Sequence, residues 1–176
     1  MKEIIEKQTK ALELVCERLN EDRLPAKMVD DEVKTLTILF SNLIEEEDVY
    51  ADVFFLPQKE EMNQLGFCVL RFELPGMEAL EEEHALDLCV GASMIGANLL
   101  LGGYAVETEE GSLPVKGLYL RATLPLLTSF DKEKLAAEIR EALSVMATEL
   151  ADSAPKLLAL AKGQMTTDTF ISLLNE

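Results

Sequence analysis

GASMIGANLLLGGYAV, residues 91–106, is the most apolar stretch of the chain and is rich in small residues. Its glycines suggest a phosphate-binding loop, because Gly91 and Gly96 have the spacing of a Walker motif. However, Ala97 and Asn98 stand where that motif has the Lys and the Ser or Thr that bind phosphate and Mg²⁺. The chain contains no GxGxxG motif either. We therefore expect no nucleotide site here.

The same stretch does not match a membrane span. Its apolar run, residues 88–101, is shorter than the ~20 residues that cross a bilayer, and it includes polar side chains. Runs of this length are usually buried helices, so the stretch predicts a core helix pressed on a sheet. Gly102 and Gly103 are expected to end the helix, and Tyr104 to begin the next strand. We expect the Asn98 amide to form a hydrogen bond near the sheet.

One helix and three strands are predicted before this core helix. A helical period over the N-terminal segment predicts a helix that ends by Pro25. β-Branched and aromatic runs predict strands at residues 35–41, 49–57 and 66–74. The links between them are short, which favours antiparallel neighbours. The predicted buried face of the helix consists of Ile5, Leu12, Val15, Cys16 and Leu19.

The third of these strands indicates how the sheet is covered. Alternation places both of its charged residues, Arg71 and Glu73, on one face and its apolar residues on the other. The sheet is therefore expected to be buried on one side only. The acidic links at residues 45–48 and 58–64 are predicted to be solvated loops.

Two more strands are predicted after the core helix, at residues 103–111 and 116–126, around an acidic turn. With the long helix that follows, the order of elements is α-β-β-β-α-β-β-α. We therefore predict an α+β fold, with an antiparallel sheet of about five strands packed by helices. Residues 1–163 are expected to form one domain, and residues 164–176 a tail with a short docking helix.

The long helix is predicted to begin at Asp131, a favoured N-cap residue. Phe130 and Leu135 have the spacing of a hydrophobic staple. Pro155 is expected to kink the helix or to begin a new one, which continues to a C-cap at Gly163. The predicted buried face consists of Leu135, Ile139, Leu143, Met146 and Leu150.

The charge balance excludes several classes of partner. The chain has 33 acidic and 16 basic residues and a formal net charge of −17. Nucleic acids and anionic membranes bind clustered Lys and Arg, so neither is an expected partner. The acidic surface favours basic partners, or serves only to keep the protein dissolved. The N-terminal segment is charged throughout and lacks the apolar centre of a signal peptide, so the expected location is cytoplasmic.

Histidine chemistry is not expected. His84 is the one histidine, with Asp87 three residues on and Cys89 five residues on. In a helix Cys89 lies about 140° around the axis from His84, which argues against a Cys–His nucleophile. The sequence instead predicts an exposed histidine among glutamates at the start of the helix.

The other reactive residue types also lack the spacing of known sites. Cys16, Cys68 and Cys89 form no CxxC pair. The acidic runs at residues 45–48 and 81–83 lack the alternating ligands and central glycine of a calcium loop. No serine lies in a G-x-S-x-G motif. We therefore predict no catalytic, cofactor-binding or metal-binding residue, no cofactor and no enzyme activity.

Three segments carry a resemblance to a known family: GGYAVE (residues 102–107), GLYLRATLPL (117–126) and ADSAPKLLALAKG (151–163). With the order of elements, they resemble the YbjN-like family, which shares its fold with type III secretion chaperones. The resemblance covers roughly residues 19–163, and the acidic loops and the tail depart from it. It implies an α+β sandwich, often dimeric, without enzyme activity, and it supplies no site residues.

These observations lead to one main hypothesis and two alternatives. The main hypothesis is a non-enzymatic protein-binding module, chaperone-like or regulatory, that holds a protein client on apolar surface of the sheet or the first helix. The first alternative is a small-molecule sensor with an apolar pocket between the core helix and the sheet. The second is a hydrolase that uses carboxylates or a metal. A homodimer through the first helix or the long helix is also expected, because the first helix and the tail both have apolar stripes.

Overall fold

The computed structural model describes residues 2–30, 33–57, 65–77, 80, 82–109, 112–127 and 131–174. Within them the predicted α+β fold is confirmed, with one antiparallel sheet of six strands and four α-helices. The elements are α1 (Lys2–Glu21), β1 (Ala26–Asp30), β2 (Lys34–Ile44), β3 (Glu47–Phe55), β4 (Leu65–Glu73), α2 (Ala85–Gly96), β5 (Gly103–Glu109), β6 (Ser112–Leu127), α3 (Lys132–Ala161) and α4 (Thr167–Leu174).

The strands lie in the order β1-β2-β3-β4-β6-β5, and each neighbouring pair is antiparallel. The helices α1, α2 and α3 pack against the sheet. Burial alternates along β3, where Tyr50 is 53% exposed and the residues on either side of it are buried. Arg71 and Glu73 of β4 lie on the open face, so the prediction that the sheet is buried on one side is confirmed.

Strand β1 is absent from the sequence prediction, which is therefore one strand short. Its five residues, AKMVD, include exposed Lys27 and Asp30, and so show little apolar alternation. The strand is positioned by Asn20 at the end of α1. The Asn20 Nδ2 donates to the Ala26 carbonyl (2.8 Å), and the Ala26 N–H donates to Asn20 Oδ1 (3.2 Å). A side chain on the helix therefore sets where the strand begins.

The core helix α2 is shorter than predicted. It ends at Gly96, and residues 97–102 form a loop that leads into β5. Leu99 and Leu101 are half-buried whereas Leu100 is 84% exposed. This alternation with a period of two suits extended backbone and not another helical turn. The prediction that the helix continues to Gly102 is therefore wrong.

The small residues of α2 contact two surfaces. A Cβ at Gly91 would lie 2.4 Å from Leu160 Cδ1 and 3.4 Å from Phe170 Cζ, so this glycine faces α3 and α4. A Cβ at Gly96 would lie 3.7 Å from the Tyr104 nitrogen in β5. The prediction of a helix pressed on the sheet therefore holds at Gly96, whereas Gly91 allows close packing of helix on helix.

Helix α3 begins as predicted. The Asp131 side chain accepts hydrogen bonds from the backbone N–H groups of Glu133 (3.1 Å) and Lys134 (3.3 Å). These bonds satisfy two of the N–H groups that a helix start leaves unpaired. All five residues predicted for its buried face are buried: Leu135, Ile139, Leu143, Met146 and Leu150.

Helix α3 does not restart at Pro155. It continues without interruption to Ala161, although a proline inside a helix removes one backbone hydrogen bond. Gly163 follows with a φ of 63°, and the Gln164 N–H donates to the carbonyl of Ala159 (2.9 Å). This geometry is a Schellman cap, so the predicted role of Gly163 is confirmed.

Two other sequence predictions need correction. Ile5 is 51% exposed, because α1 packs on α3 through its C-terminal half, where Arg18 lies 3.8 Å from Glu133. The predicted loop at residues 45–48 is only a two-residue turn at Glu45 and Glu46. Both of these glutamates have positive φ, 47° and 72°, as a tight hairpin turn requires.

The tail after Gly163 contains α4, and Phe170 of this helix is fully buried. No helix in the described ranges is long and apolar enough to span a bilayer. Three predicted features lie outside the described residues: the loop at 58–64, the tip of the turn at 110–111, and the staple residue Phe130.

Candidate functional site

An apolar groove of about 540 Å³ opens where the end of α1, strand β2 and the middle of α3 meet. Leu19 and Leu24 come from α1 and the segment after it, and Phe40 and Leu43 come from β2. A volume of this size is typical of ligand and peptide sites. The groove is completed by Asp22, Arg140, Leu143, Ser144, Ala147, Thr148 and Ala151.

The groove lies beside a stretch of β2 that extends past its neighbour. Strand β1 pairs with β2 as far as Ala26 opposite Ile38, and one further bond joins the Leu39 N–H to the Pro25 carbonyl (2.9 Å). Strand β2 continues beyond this bond to Ile44. The register with β3 also shifts after Phe40, and Asn42 there has a φ of 55°. The bulge makes this edge irregular, and the backbone N–H and C=O groups that β1 leaves unpaired beyond Leu39 are open to an added strand. The groove therefore combines apolar side chains with an unpaired strand edge.

The rim of the groove is polar. Arg140 of α3 lies 3.5 Å from Asp22, and both side chains are more than half exposed. An exposed ion pair stabilises by only about 0–1 kcal/mol, so this contact is easily separated. Ser144 and Thr148 are exposed on the same helix. An apolar interior with a polar rim is the usual anatomy of a protein-binding surface.

A second pocket, of about 210 Å³, lies between α2, α3 and α4, and we refer to it as the α2–α3–α4 pocket. Glu149 of α3 is one of its polar lining residues. Glu149 Oε1 accepts a hydrogen bond from the Leu100 N–H (2.5 Å), which fixes the loop after α2. Glu149 Oε2 is buried and meets no donor in the described part of the chain. The pocket is lined by Ile95, Asn98, Leu99, Glu149, Asp152, Ser153, Lys156 and Leu174.

Tyr104 connects this region to the sheet. Its hydroxyl lies 2.5 Å from Ser153 Oγ, and Ser153 donates in turn to the Glu149 carbonyl (2.6 Å). Burial, together with the charges of Glu149 and Asp152, raises the pKa of Tyr104 to about 12. A tyrosine with this pKa is neutral at physiological pH. It therefore positions α3 against β5 as a hydrogen-bonding group.

Asn98 occupies a different place from the one predicted. Its Nδ2 donates to the Met94 carbonyl one turn earlier in α2 (3.2 Å), and its side chain is exposed. The predicted hydrogen bond therefore exists, but its partner is the helix and not the sheet.

The open face of the sheet carries a row of polar contacts. Asp52 accepts from Thr37 Oγ1 (2.9 Å) and from Arg71 Nη2 (2.8 Å). The Arg71 guanidinium lies 4.9 Å from the centre of the Tyr119 ring, and the Tyr119 hydroxyl donates to Glu107 Oε2 (2.7 Å). The row spans β2, β3, β4, β6 and β5. Because these charges are partnered within the sheet, we interpret the row as a stabilising feature of the fold.

In the structure, His84 and Asp87 make their contacts with the C-terminal segment of the chain. His84 is half-buried against the turn at Gly163, where a Cβ would lie 2.4 Å from His84 Nε2, so its predicted exposure is wrong. Its Nε2 lies 3.6 Å from Glu83 Oε1. Asp87 accepts a hydrogen bond from Thr167 Oγ1 (2.5 Å). His84 and Asp87 thus hold the C-terminal segment in place.

The three cysteines are free thiols. Cys68 is fully buried, and burial raises the pKa of its thiol to about 12, which leaves it unreactive. Cys16 donates to the Ala26 carbonyl (3.4 Å), and burial is the main cause of its raised pKa. Of the acidic run at 81–83, Glu81 lies outside the described residues. The described residues contain no group of three or more His, Cys, Asp or Glu side chains placed to hold a metal ion.

Sequence reasoning missed both pockets. Each combines residues that are far apart in the chain, such as Leu19, Phe40 and Leu143 in the groove. One signal was available for the second pocket: Glu149 lies between Met146 and Leu150, on the border of the predicted buried face of α3. An acidic residue at the edge of a buried stripe needs a hydrogen-bond donor, and the Leu100 N–H donates to Glu149 Oε1.

No protein-family model and no curated protein matches the chain. A solved structure of an uncharacterized protein from Methanothermobacter thermautotrophicus is similar to it, with 13% sequence identity and a TM-score of 0.43. The likeness covers 84% of this chain and 99% of that one. At this level it carries no argument about function.

Proposed function

We propose that the chain is a non-enzymatic protein-binding module, chaperone-like or regulatory, and that it binds an extended segment of a partner protein in the groove between α1, β2 and α3. The observation that carries the proposal is the groove itself. It places Leu24, Phe40 and Leu43 beside a strand edge that β1 leaves unpaired. The resemblance to the YbjN-like family implies the same class of function.

The groove favours an extended client with apolar side chains at alternate positions. An added strand points every second side chain to the same side, and here that side is the apolar groove. Burying a Leu or Phe side chain contributes about 1.5–3 kcal/mol before the cost of association. Two or three such anchors, together with backbone hydrogen bonds, are consistent with a micromolar complex.

The charge of the chain restricts the class of client further. With a formal net charge of −17, the protein attracts basic segments and repels acidic ones at long range. We therefore propose clients in which Lys or Arg flanks the apolar residues. Nucleic acid and anionic membranes remain outside the proposal for the same reason.

A peptide-display selection tests the proposal. Peptides selected on the immobilised protein should have alternating apolar residues and basic flanks. Ser144→Trp places a large side chain at the exposed wall of the groove, so it should weaken binding of the selected peptides at least tenfold.

Ser172→Trp is the matched control, because Ser172 is an exposed serine on α4 and does not line the groove. It should leave the affinity within about twofold of the original. Selected peptides that bind Ser144→Trp as well as the unchanged protein would place the client site elsewhere. Selection of acidic peptides would contradict the electrostatic part of the proposal.

A further inference from the structure

The groove between α1, β2 and α3 has two different ends. At one end Asp22 lies 3.5 Å from Arg140, and three residues after Asp22 the Pro25 carbonyl accepts a hydrogen bond from the Leu39 N–H (2.9 Å). From Arg140, helix α3 lines the groove as far as Ala151, about 16 Å along the helix axis. The groove is therefore elongated, and one of its ends lies at the segment that joins α1 to β1.

The other end of the groove lies beside the turn between β2 and β3. Strand β2 separates from β1 after Leu39 and lines the groove as far as Leu43, about 13 Å further along the strand. Two residues after Leu43 the chain reverses direction at Glu45 and Glu46. This turn is therefore next to the end of the groove that lies away from Asp22.

The two ends differ in charge. At the α1 end, the charges of Asp22 and Arg140 neutralise each other. At the turn, residues 45–48 are consecutive acidic residues with exposed side chains. None of them forms an ion pair with a Lys or Arg in the described ranges. Asp48 accepts a hydrogen bond from the Asn42 N–H (3.1 Å), so the three glutamates are the groups open to a client.

The direction of a client strand follows from the direction of β1. Strand β1 occupies the same edge of β2 and is antiparallel to it. A client that continues the line of β1 past Pro25 is antiparallel to β2 as well, and antiparallel pairing is slightly the more stable per residue. Because β2 runs toward the turn, such a client begins at the turn and ends near Asp22. A groove of about 16 Å holds about five extended residues.

We propose that the groove binds about five extended residues antiparallel to β2, and that Glu45, Glu46 and Glu47 select a client with Lys or Arg directly N-terminal to this segment. This selection presupposes the proposed function, because it requires that the groove binds a client. It adds the length and direction of the client and the residues that recognise its charge. Basic residues at the C-terminal end of the segment would instead lie beside the neutral pair of Asp22 and Arg140.

Two peptides of identical composition test the proposal by calorimetric titration of the full chain. The N-basic peptide is Lys-Lys-Leu-Thr-Leu-Thr-Leu and the C-basic peptide is Leu-Thr-Leu-Thr-Leu-Lys-Lys, both with blocked termini. At low salt the N-basic peptide should bind roughly threefold or more tightly than the C-basic peptide, because its lysines lie beside the glutamates of the turn. The difference should nearly disappear in about 1 M NaCl, which screens exposed charges.

Two double variants separate the turn from the general attraction of basic peptides to an acidic protein. Glu46→Gln with Glu47→Gln removes two charges from the turn and should make the two peptides bind equally. Glu6→Gln with Asp168→Asn removes the same charge from exposed positions of α1 and α4, and should keep the preference. Because each protein is tested with both peptides, a change in its stability does not alter the ratio of the two affinities.

Equal binding of the two peptides to the unchanged protein would overturn the proposal, as would tighter binding of the C-basic peptide. A preference that persists in the variant of the turn would also overturn it. If the unchanged protein binds neither peptide, the proposed function of the groove is itself contradicted, and the selection by the turn with it.

Discussion

Gly102, between α2 and β5, has a backbone conformation and a location that suit only glycine. Its φ is 75°, a region that L-residues rarely adopt. A Cβ there would lie 2.1 Å from the Arg121 carbonyl oxygen and 2.7 Å from the Arg121 carbonyl carbon. These are backbone atoms inside the β5–β6 pair, so they cannot move aside as a flexible side chain can. The neighbouring Gly103 has open space around its Cβ position and no positive φ.

Alanine substitutions at these two adjacent glycines are therefore expected to have different effects on stability. Gly102→Ala should lower the free energy of unfolding by about 2–4 kcal/mol, because left-handed strain and a backbone clash add together. Gly103→Ala should be neutral or should stabilise by up to about 1 kcal/mol, since glycine weakens a strand. Urea denaturation of both variants measures the difference. Equal effects of the two substitutions would contradict the role assigned to Gly102.

We expect the buried thiol of Cys68 to make the free energy of unfolding depend on pH in the alkaline range. Burial raises the pKa of its thiol from 9.0 to about 12, so the folded state holds this proton more tightly than the unfolded state. The stabilising contribution is complete below pH 9 and is lost as the pH rises toward 12. Between those values the free energy of unfolding should fall by about 1.4 kcal/mol per pH unit from this group.

Urea denaturation between about pH 8 and pH 10.5 tests this effect. Cys68→Ala should make the slope above pH 9 shallower, although it lowers stability at neutral pH by creating a cavity. Val69→Ala, a truncation at the next buried residue, should lower stability without changing the slope. Identical slopes for Cys68→Ala and the unchanged protein would show that the thiol does not contribute.

At the scale of elements, segments with a clear period and ends with a capping residue were predictable, whereas ends that depend on contacts between elements were not. Asp131 and the buried stripe of α3 follow from local rules of capping and periodicity. The end of α2 at Gly96 depends on where β5 lies, and β1 depends on the hydrogen bonds between Asn20 and Ala26. These are contacts between elements, so no local pattern contains them.

Helix α4 is short, and it depends on tertiary packing. Eight residues form a marginal helix by themselves, so α4 is stabilised by Phe170, which is fully buried against Gly91 of α2. The Thr167 hydroxyl adds a hydrogen bond to Asp87. The tail therefore docks on α2 and α3 of its own chain.

This packing predicts the effect of removing the side chain. Phe170→Ala should lower the free energy of unfolding by about 3–5 kcal/mol, or by the whole docking free energy of α4 if that is smaller. Deleting residues 164–176 should have a comparable effect. Because the contact lies within one chain, both losses should be independent of protein concentration. Urea denaturation at low and high micromolar concentration tests this, with Ser172→Ala as an exposed control on the same helix.

At the scale of the whole molecule, the fold class could be predicted from the sequence, whereas the two candidate sites could not. Alternation in β4 predicted a sheet covered on one side, and the structure has that arrangement. The groove lies where the end of α1, the middle of α3 and Phe40 of β2 meet, next to the part of β2 that extends past β1. Such a gap depends on the relative lengths and angles of three elements, which the pattern of any one of them does not encode.

The exposed apolar residues concern association of whole chains. Leu86 is 74% exposed and Val90 is 37% exposed, one turn apart on α2. Leu173 on α4 is 42% exposed, and Ile5 continues the apolar stripe of α1. Exposed apolar surface of this kind usually marks an interaction site, and symmetric dimers are the commonest way to bury it. Against association, each chain carries a formal net charge of −17, so two chains repel each other.

We therefore predict a homodimer at micromolar concentration whose affinity rises with salt, because salt screens the repulsion between the two acidic chains. Light scattering over a range of protein and NaCl concentrations tests this, and a monomer mass at high concentration and high salt would rule the dimer out. Ile5→Gln and Leu86→Gln locate the interface without changing the net charge. Loss of the dimer in Ile5→Gln alone would place the interface on α1, one of the two helices that the sequence predicts, the other being α3. Loss in Leu86→Gln alone would place it on α2. An interface on α2 would leave the groove between α1, β2 and α3 open in the dimer, so peptide binding should then be unaffected by either variant.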